Sequence, residues 1–299
     1  MKHFLSLEEH SVEDLMQILD RATALKATRG DESQQPLKGQ TWALIFSKSS
    51  TRTRVSFEVG IRELGGRAMF LSAREMQLGR GEPIKDTARV LGRMVHGAVI
   101  RTFSHTELVD FSRYSEIPTI NALTDYAHPC QIMADLLTMR EKLGSIQDRV
   151  VTFIGDGACN VATSWIFAAK RFGFELRVAA PEGFQPEPSL LEGSGDNITV
   201  MTDVAAAAAG ADVLYTDVWV SMGMEAEAEE RAKLFHGYQI NASIVKQAKE
   251  SVLVMHCLPA YRGKEITDEV LEAHQQTVFD QAENRLHAQK GVICWLLGV

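Results

Sequence analysis

Cysteine is scarce in this chain. Only Cys130, Cys159, Cys257 and Cys294 are present in 299 residues, and they lie far apart. No C-x-x-C pair occurs, so neither a zinc site nor a dithiol redox motif is expected. A reduced, cytoplasmic compartment is the simplest setting. Positive charge is also short, with 31 Lys and Arg against 39 Asp and Glu and a net charge of −8. A general nucleic-acid binder carries a basic footprint instead, so no nucleic-acid partner is expected. A local cationic pocket for an anion remains compatible with that balance. No apolar run approaches the roughly 18 residues of a membrane span. Glu8 and Glu9 interrupt the opening segment before a signal-peptide core forms, so no membrane partner is expected. The phosphate loop G-x-x-x-x-G-K-[ST] is missing too.

What is present is ordinary for a globular protein: 45% apolar and 23% charged residues. At about 150 residues per domain, the length predicts two domains. Leu15, Ile18, Leu19, Ala22 and Leu25 form one face of a helix over residues 12–26. Apolar runs predict strands at 41–46, 68–71, 98–102 and 118–121, with helices at 51–64, 83–94 and 129–143. A second set follows, with strands at 150–154, 175–179, 213–216, 252–255 and 277–279. Its helices are predicted at 160–172, from 204 to Gly210, and at 280–297. No repeat of solenoid period appears. Strands alternating with helices predict α/β architecture: two doubly wound parallel-sheet domains. In such folds ligands sit at the carboxyl ends of the strands.

The chemistry-bearing residues fall at those ends. Ser50-Thr51-Arg52-Thr53-Arg54 follows a strand and opens a helix, where free N–H groups, hydroxyls and guanidinium forks suit a phosphate. The plainer alternative is a capped, solvated helix start. Arg101 ends a strand, and an arginine there is by itself more often a surface ion pair. In His128-Pro129-Cys130-Gln131 a neutral imidazole and the Gln131 amide would polarise a carbonyl oxygen, or His128 would simply cap a helix. Gly155-Asp156-Gly157-Ala158-Cys159-Asn160 resembles the start of a dinucleotide fingerprint, but Asn160 replaces its last glycine. Asn160 would instead bind a carboxylate through its amide. Asp217, at the end of a strand and before Ser221-Met222-Gly223, would pair with an ammonium group. The acidic stretch 225–230 fits a solvated, mobile lid. Cys257 invites a nucleophile assignment, although a buried structural cysteine is commoner. His256, adjacent on a strand, points to the opposite face and is poorly placed as its base. Arg285 is expected to open the last helix.

Taken in order, these strings, with His256-Cys257-Leu258-Pro259-Ala260, resemble the aspartate/ornithine carbamoyltransferase family over essentially the full chain. The resemblance implies a carbamoyl-phosphate-binding domain over residues 1–143 with the returning helix 280–299, and an ornithine-binding domain over 144–279. It implies that Ser50, Thr51, Arg52, Thr53 and Arg101 hold the phosphate. His128 and Gln131 would contact the carbamoyl group, with Arg285 and the backbone at Cys257 and Leu258 completing that site. Asn160, Asp217, Ser221 and Met222 match the ornithine positions, and Cys257 lies near the reacting amine. Many members carry two adjacent asparagines where this chain has Cys159-Asn160. Gln77 matches a loop that reaches a neighbouring subunit, which implies a homotrimer or a multiple of one.

The implied reaction is carbamoyl transfer from carbamoyl phosphate to the side-chain amine of L-ornithine, giving citrulline and phosphate. Arg52, Arg101, His128 and Cys257 would carry the catalysis, and no cofactor or metal is called for. The nearest rival is a sister transferase acting on N-acetylornithine, putrescine or aspartate. More distant rivals are a nicotinamide-dependent oxidoreductase built on Gly155-Asp156-Gly157 and a non-catalytic binding relative.

Overall fold

The computed structural model describes residues 2–31, 33–73, 75–76, 81–220 and 228–299. Gln77, Ser221, Met222 and residues 225–227 of the expected lid lie outside these residues, and residues 228–230 open a helix. The chain divides into two compact units, residues 1–137 with 283–299 and residues 138–282.

Unit 1 carries α1 (Val12–Ala27), β1 (Thr41–Phe46), α2 (Thr51–Glu63), β2 (Arg67–Ser72), α3 (Ile84–Leu91), β3 (Gly97–Arg101), α4 (His105–Ser115), β4 (Thr119–Leu123) and the start of α5 (Pro129–Leu143). All strand pairs are parallel, in the order β2-β1-β3-β4. Ser11 caps α1 by accepting from Asp14 N–H, and Ser104 caps α4 by accepting from Glu107 N–H. The sheet packs Ala43, Ile45, Ala98 and Ile100 against Leu108 and Phe111 of α4. Trp42 lies flat against Gly97, where a Cβ would stand 2.6 Å from the indole ring. Only glycine fits that contact.

Unit 2 carries the end of α5, then β5 (Val150–Ile154), α6 (Asn160–Phe172), β6 (Glu175–Ala179), α7 (Pro188–Leu191), β7 (Ile198–Met201), α8 (Val204–Ala208), β8 (Val213–Thr216), α9 (Ala228–Leu234), α10 (Ala242–Val245), β9 (Leu253–His256), α11 (Asp268–Ala273) and the start of α12 (Gln275–Leu297). Its parallel sheet runs β7-β6-β5-β8-β9. Ile154, Leu214 and Val254 pack on Ala207, Ala208, Val270 and Leu271. Both units are therefore doubly wound parallel sheets, as the strand-helix alternation predicts, and the last helix from Glu283 onward belongs to unit 1.

Two expectations need correction. Residues 277–279 are not a strand but lie within the opening turns of α12, which begins at Gln275, and Arg285 lies inside that helix rather than at its start. Thr277-Val278-Phe279 has strand-like composition, but its burial has helical spacing. Val278, Gln281 and Arg285 are buried, while Phe279 is 51% exposed. The half-buried strand β7 and the helix α4 carried no pattern strong enough to be expected. Among the described residues, no helix is long and apolar enough to cross a membrane.

Candidate active site

In each unit the strand order reverses at one place, and a crevice forms there at the carboxyl ends. In unit 1 the reversal lies between β1 and β3, whose ends pair at Phe46 and Arg101. Ser50 caps α2 through its hydroxyl, which accepts from Thr53 N–H at 3.3 Å. That leaves the first amides of α2, with Thr51 and Arg52 exposed, at the positive end of the helix. Arg101 ends β3 and is buried. Arg285, also buried, donates from Nη2 to Thr53 Oγ1 at 2.7 Å. So the helix start and a residue 232 positions downstream are tied directly.

His128 is buried just ahead of α5. Burial, then the charges of Arg285 and Arg101, hold its pKa well below the usual histidine value. The imidazole is neutral at pH 7 and fit to donate or accept without adding a third positive charge. Gln131 donates its amide NH2 to Asp135 Oδ1 at 2.8 Å. A carboxylate accepts only from the NH2 end, so the orientation of the amide is set. Its Oε1 is buried with no hydrogen-bond partner. Gln131 therefore presents an acceptor, which suits the amino end of a carbamoyl group rather than the carbonyl oxygen expected from the sequence. Cys130, between them, is buried, and burial pushes its thiol up to about 12. It is an inert packing residue that bonds to the Asn121 carbonyl.

Lys48 was not singled out in the sequence. It is buried two residues before Ser50, pairs with Asp125 Oδ1 at 2.5 Å, and lies 4.1 Å over the Phe103 ring. Its place in the same strand-to-helix turn was the available signal. Asp135 was likewise missed, because a buried carboxylate on the fourth helical position after Gln131 has no sequence signature of its own.

In unit 2 the reversal lies between β5 and β8. Asp217 stands just beyond β8, and the loop 155–160 just beyond β5. Asp217 Oδ1 accepts the Val218 N–H at 2.7 Å and the Cys257 thiol at 2.9 Å. Asn160 opens α6, whose cap is Cys159, with Sγ accepting from Ala162 N–H. Burial, with Asp217 and Asp156 close by, raises the Cys159 pKa well above the usual thiol range.

The glycines of the loop have a packing explanation. A Cβ on Gly157 would meet the Phe184 carbonyl and Pro186 at 3.0 Å, and Gly155 has φ +139°. Between them Asp156 is bound in an ion pair with Arg231. No pyrophosphate is needed to account for this turn.

His256 does not act on Cys257. Its Nδ1 accepts the Leu258 N–H at 2.9 Å, so the ring proton sits on Nε2, 3.2 Å from Glu265 Oε1. Leu258 itself has φ +57° and precedes a cis proline, Pro259. Among the described residues, one group has metal-ligand chemistry: atoms of Asp217, His256 and Cys257 lie within 4.8 Å of one another. Both His256 nitrogens are engaged, which leaves one thiol and one carboxylate, too few donors to close a site.

Residues 2–141 match the family model "Aspartate/ornithine carbamoyltransferase, carbamoyl-P binding domain", and residues 147–296 match "Aspartate/ornithine carbamoyltransferase, Asp/Orn binding domain". The ornithine carbamoyltransferase of Akkermansia muciniphila is 54% identical over 99% of this chain and 98% of its own. The anabolic ornithine carbamoyltransferase of Pseudomonas aeruginosa is 49% identical over 98% of this chain and 96% of its own. Among solved structures, the anabolic enzyme of Campylobacter jejuni superposes with a TM-score of 0.94 at 41% identity, covering 100% of this chain and 99% of that one. That of Pyrococcus furiosus gives 0.93 at 44%, covering 99% and 97%. With two family models spanning nearly every residue and relatives about half identical from end to end, the chain belongs to the aspartate/ornithine carbamoyltransferase family.

Proposed function

We propose that the chain transfers the carbamoyl group of carbamoyl phosphate to the side-chain amine of L-ornithine, giving L-citrulline and phosphate. Unit 1 takes carbamoyl phosphate and unit 2 takes ornithine. The observation that carries this assignment is the buried, neutral His128, whose pKa is lowered by burial and by the charges of Arg285 and Arg101, with Arg285 bound to the helix start that begins at Thr51. A dianionic leaving group next to a polarisable carbonyl needs cations and a neutral donor side by side. The full-length relatives named for ornithine support the amine, over N-acetylornithine, putrescine or aspartate.

The neutral amine of ornithine attacks the carbamoyl carbon. The carbonyl π pair moves to oxygen, and the tetrahedral intermediate collapses with cleavage of the carbon–oxygen bond to phosphate. The attacking nitrogen gives up one proton to an oxygen of the departing phosphate, which leaves as hydrogen phosphate. Ser50, Thr51, Arg52, Thr53 and Arg101 bind the phosphate oxygens, which gain charge as the bond breaks. His128 supports the developing oxyanion, and Gln131 Oε1 holds the carbamoyl NH2. In unit 2, Asp217 and Asn160 bind the α-ammonium and α-carboxylate, and the Cys257 thiol, aligned by Asp217, borders the reacting amine. Donors placed for the transition state in this way are worth about 10²–10³ each in rate.

The chain assembles as a homotrimer and works in the cytoplasm. Support for the trimer comes from the family resemblance at Gln77. Light scattering of the purified protein reads the subunit number. Turnover is tested by citrulline and phosphate release from carbamoyl phosphate plus ornithine, with aspartate, putrescine and N-acetylornithine in parallel. Release with ornithine alone is expected. Release only with another amine overturns the assignment of Asp217 and Asn160.

A further inference from the structure

The Arg231 side chain of α9 is only 6% exposed and makes contacts in several directions. Its Nε donates to the Trp219 carbonyl at 2.6 Å, and Nη2 pairs with Asp156 Oδ2. The guanidinium carbon lies 4.8 Å from the Phe184 ring and 5.3 Å from the Phe235 ring. Phe235 in turn stacks on Trp219 and meets Phe184 edge-on. One side chain is thus fastened both to the segment after β8, which carries Asp217, and to the loop after β5, which carries Asn160.

Asp156 extends the link. Its Oδ1 accepts the Ala158 N–H at 3.0 Å, and its carbonyl accepts the Cys159 N–H at 3.2 Å. Those bonds shape the turn that launches α6 at Asn160. We infer that Arg231 is a positioning residue for the amino-acid substrate: by clasping Asp156 and the Trp219 carbonyl, it holds Asn160 and Asp217 at the spacing that an α-amino acid requires. The inference rests on the assignment of Asn160 and Asp217 to ornithine.

Three physical points support the clasp. Burial and the neighbouring Asp217 push the Asp156 carboxyl up, and Arg231 is the cation that opposes this. Without Arg231 a buried carboxylate is left uncompensated, and the loop must open to hydrate it. A planar guanidinium, bonded along two directions and packed against aromatic rings, also has a geometry that the point charge of a lysine lacks. Finally, Asp156, Trp219, Phe184 and Phe235 all belong to unit 2. Loss of the clasp should therefore weaken one substrate and spare the other.

The test is steady-state kinetics of Arg231→Gln and Arg231→Lys, with each substrate varied in turn, beside Asp217→Asn. A misplacement of about 1 Å costs on the order of 10²-fold. Arg231→Gln is expected to raise KM for ornithine about 10- to 100-fold, with KM for carbamoyl phosphate changed less than about twofold. Arg231→Lys should fall between Arg231→Gln and the unmodified protein. A merely structural role would lower the active fraction and leave both constants alone. The inference is overturned if KM for ornithine is unchanged in Arg231→Gln, or if both constants rise together. Should Arg231→Gln fail to fold, Arg231→Lys decides, with an unchanged KM for ornithine counting against the clasp. Asp217→Asn separates the two ideas. If it leaves KM for ornithine unchanged, the substrate assignment fails. If it raises that constant while the Arg231 variants do not, only the clasp fails.

Discussion

The two units share one architecture but present opposite charge at their crevices. At the β1/β3 reversal of unit 1 stand Arg52, Arg101, Arg285 and Lys48, with the positive end of α2. At the β5/β8 reversal of unit 2 stand Asp156 and Asp217, two cysteines and Asn160, and Arg231 is already bound to Asp156. A parallel sheet with a strand-order reversal supplies a crevice and no preference for a ligand. The preference comes from a few residues after each strand. Under the proposed function, the anionic substrate goes to the first crevice and the ammonium-bearing one to the second.

The largest expected effect concerns the amine that unit 2 receives. An aliphatic amine has a pKa of about 10.4, so its neutral fraction grows about tenfold per pH unit between 6 and 9. His128 is already neutral across that span and adds no titration of its own. The second-order rate constant for ornithine should rise steeply over this range. A flat profile would break the link between unit 2 and a neutral nucleophile.

Next comes the phosphate side. Arg52→Ala should lower kcat by about 10²–10³, and near-normal turnover would remove Arg52 from the transition state. Asp217→Asn is expected to act on the other half. Hydrogen bonds to charged groups contribute about 1.5–3 kcal/mol, so KM for ornithine should rise by roughly one to two orders of magnitude at constant KM for carbamoyl phosphate. Equal shifts in both constants would mean that the charge contrast between the crevices does not select the substrates.

Acid should separate the units in a different way. His3, His105, His128 and His287 of unit 1 have lowered pKa values, through burial first, with His287 at about 4. Such groups bind protons in the unfolded chain before they do in the folded one. Their contribution is complete above the ordinary histidine pKa near 6.5 and is lost as pH falls below it. Unit 2 carries His274, lowered in the same way by burial, while Asp156 of unit 2 and Glu9 of unit 1 have the opposite sign: their raised pKa values cost stability at neutral pH, and that cost eases in acid. Hydrogen exchange at pH 5 against pH 7 should show unit 1 loosening ahead of unit 2, and loosening of unit 2 first would contradict the assignment. The smallest functional effect is expected from the scaffold. Gly97→Ala places a Cβ against Trp42 and should cost about 1–3 kcal/mol of stability, read as a lower Tm, with both KM values unchanged.

The strands of both sheets except β7 were legible from apolar runs, because a buried parallel strand is continuously apolar, and the edge strand β2 keeps an apolar run although it is only partly buried. So was the placement of Ser50, Arg101, Asn160 and Asp217 at strand ends, because doubly wound folds put ligands there. The start of α12 was misjudged because Thr277-Val278-Phe279 has strand composition, and only its packing reveals a period near four. The Gln131–Asp135 bond reversed the expected role of the Gln131 amide, since an amide has both a donor and an acceptor end and its neighbour chooses between them.

By itself, then, the sequence determined the class of fold, the family, and which residue types stand at which strand ends, since those follow from local periodicity and ordered motifs. Tertiary structure alone decided that Arg285 reaches Thr53, that His128 is neutral, and that the Cys257 thiol turns to Asp217. It alone decided that Arg231 closes on Asp156. Each of these depends on residues at least 40 positions apart brought into contact, or on a charge removed from water, and neither is encoded in a short stretch of chain.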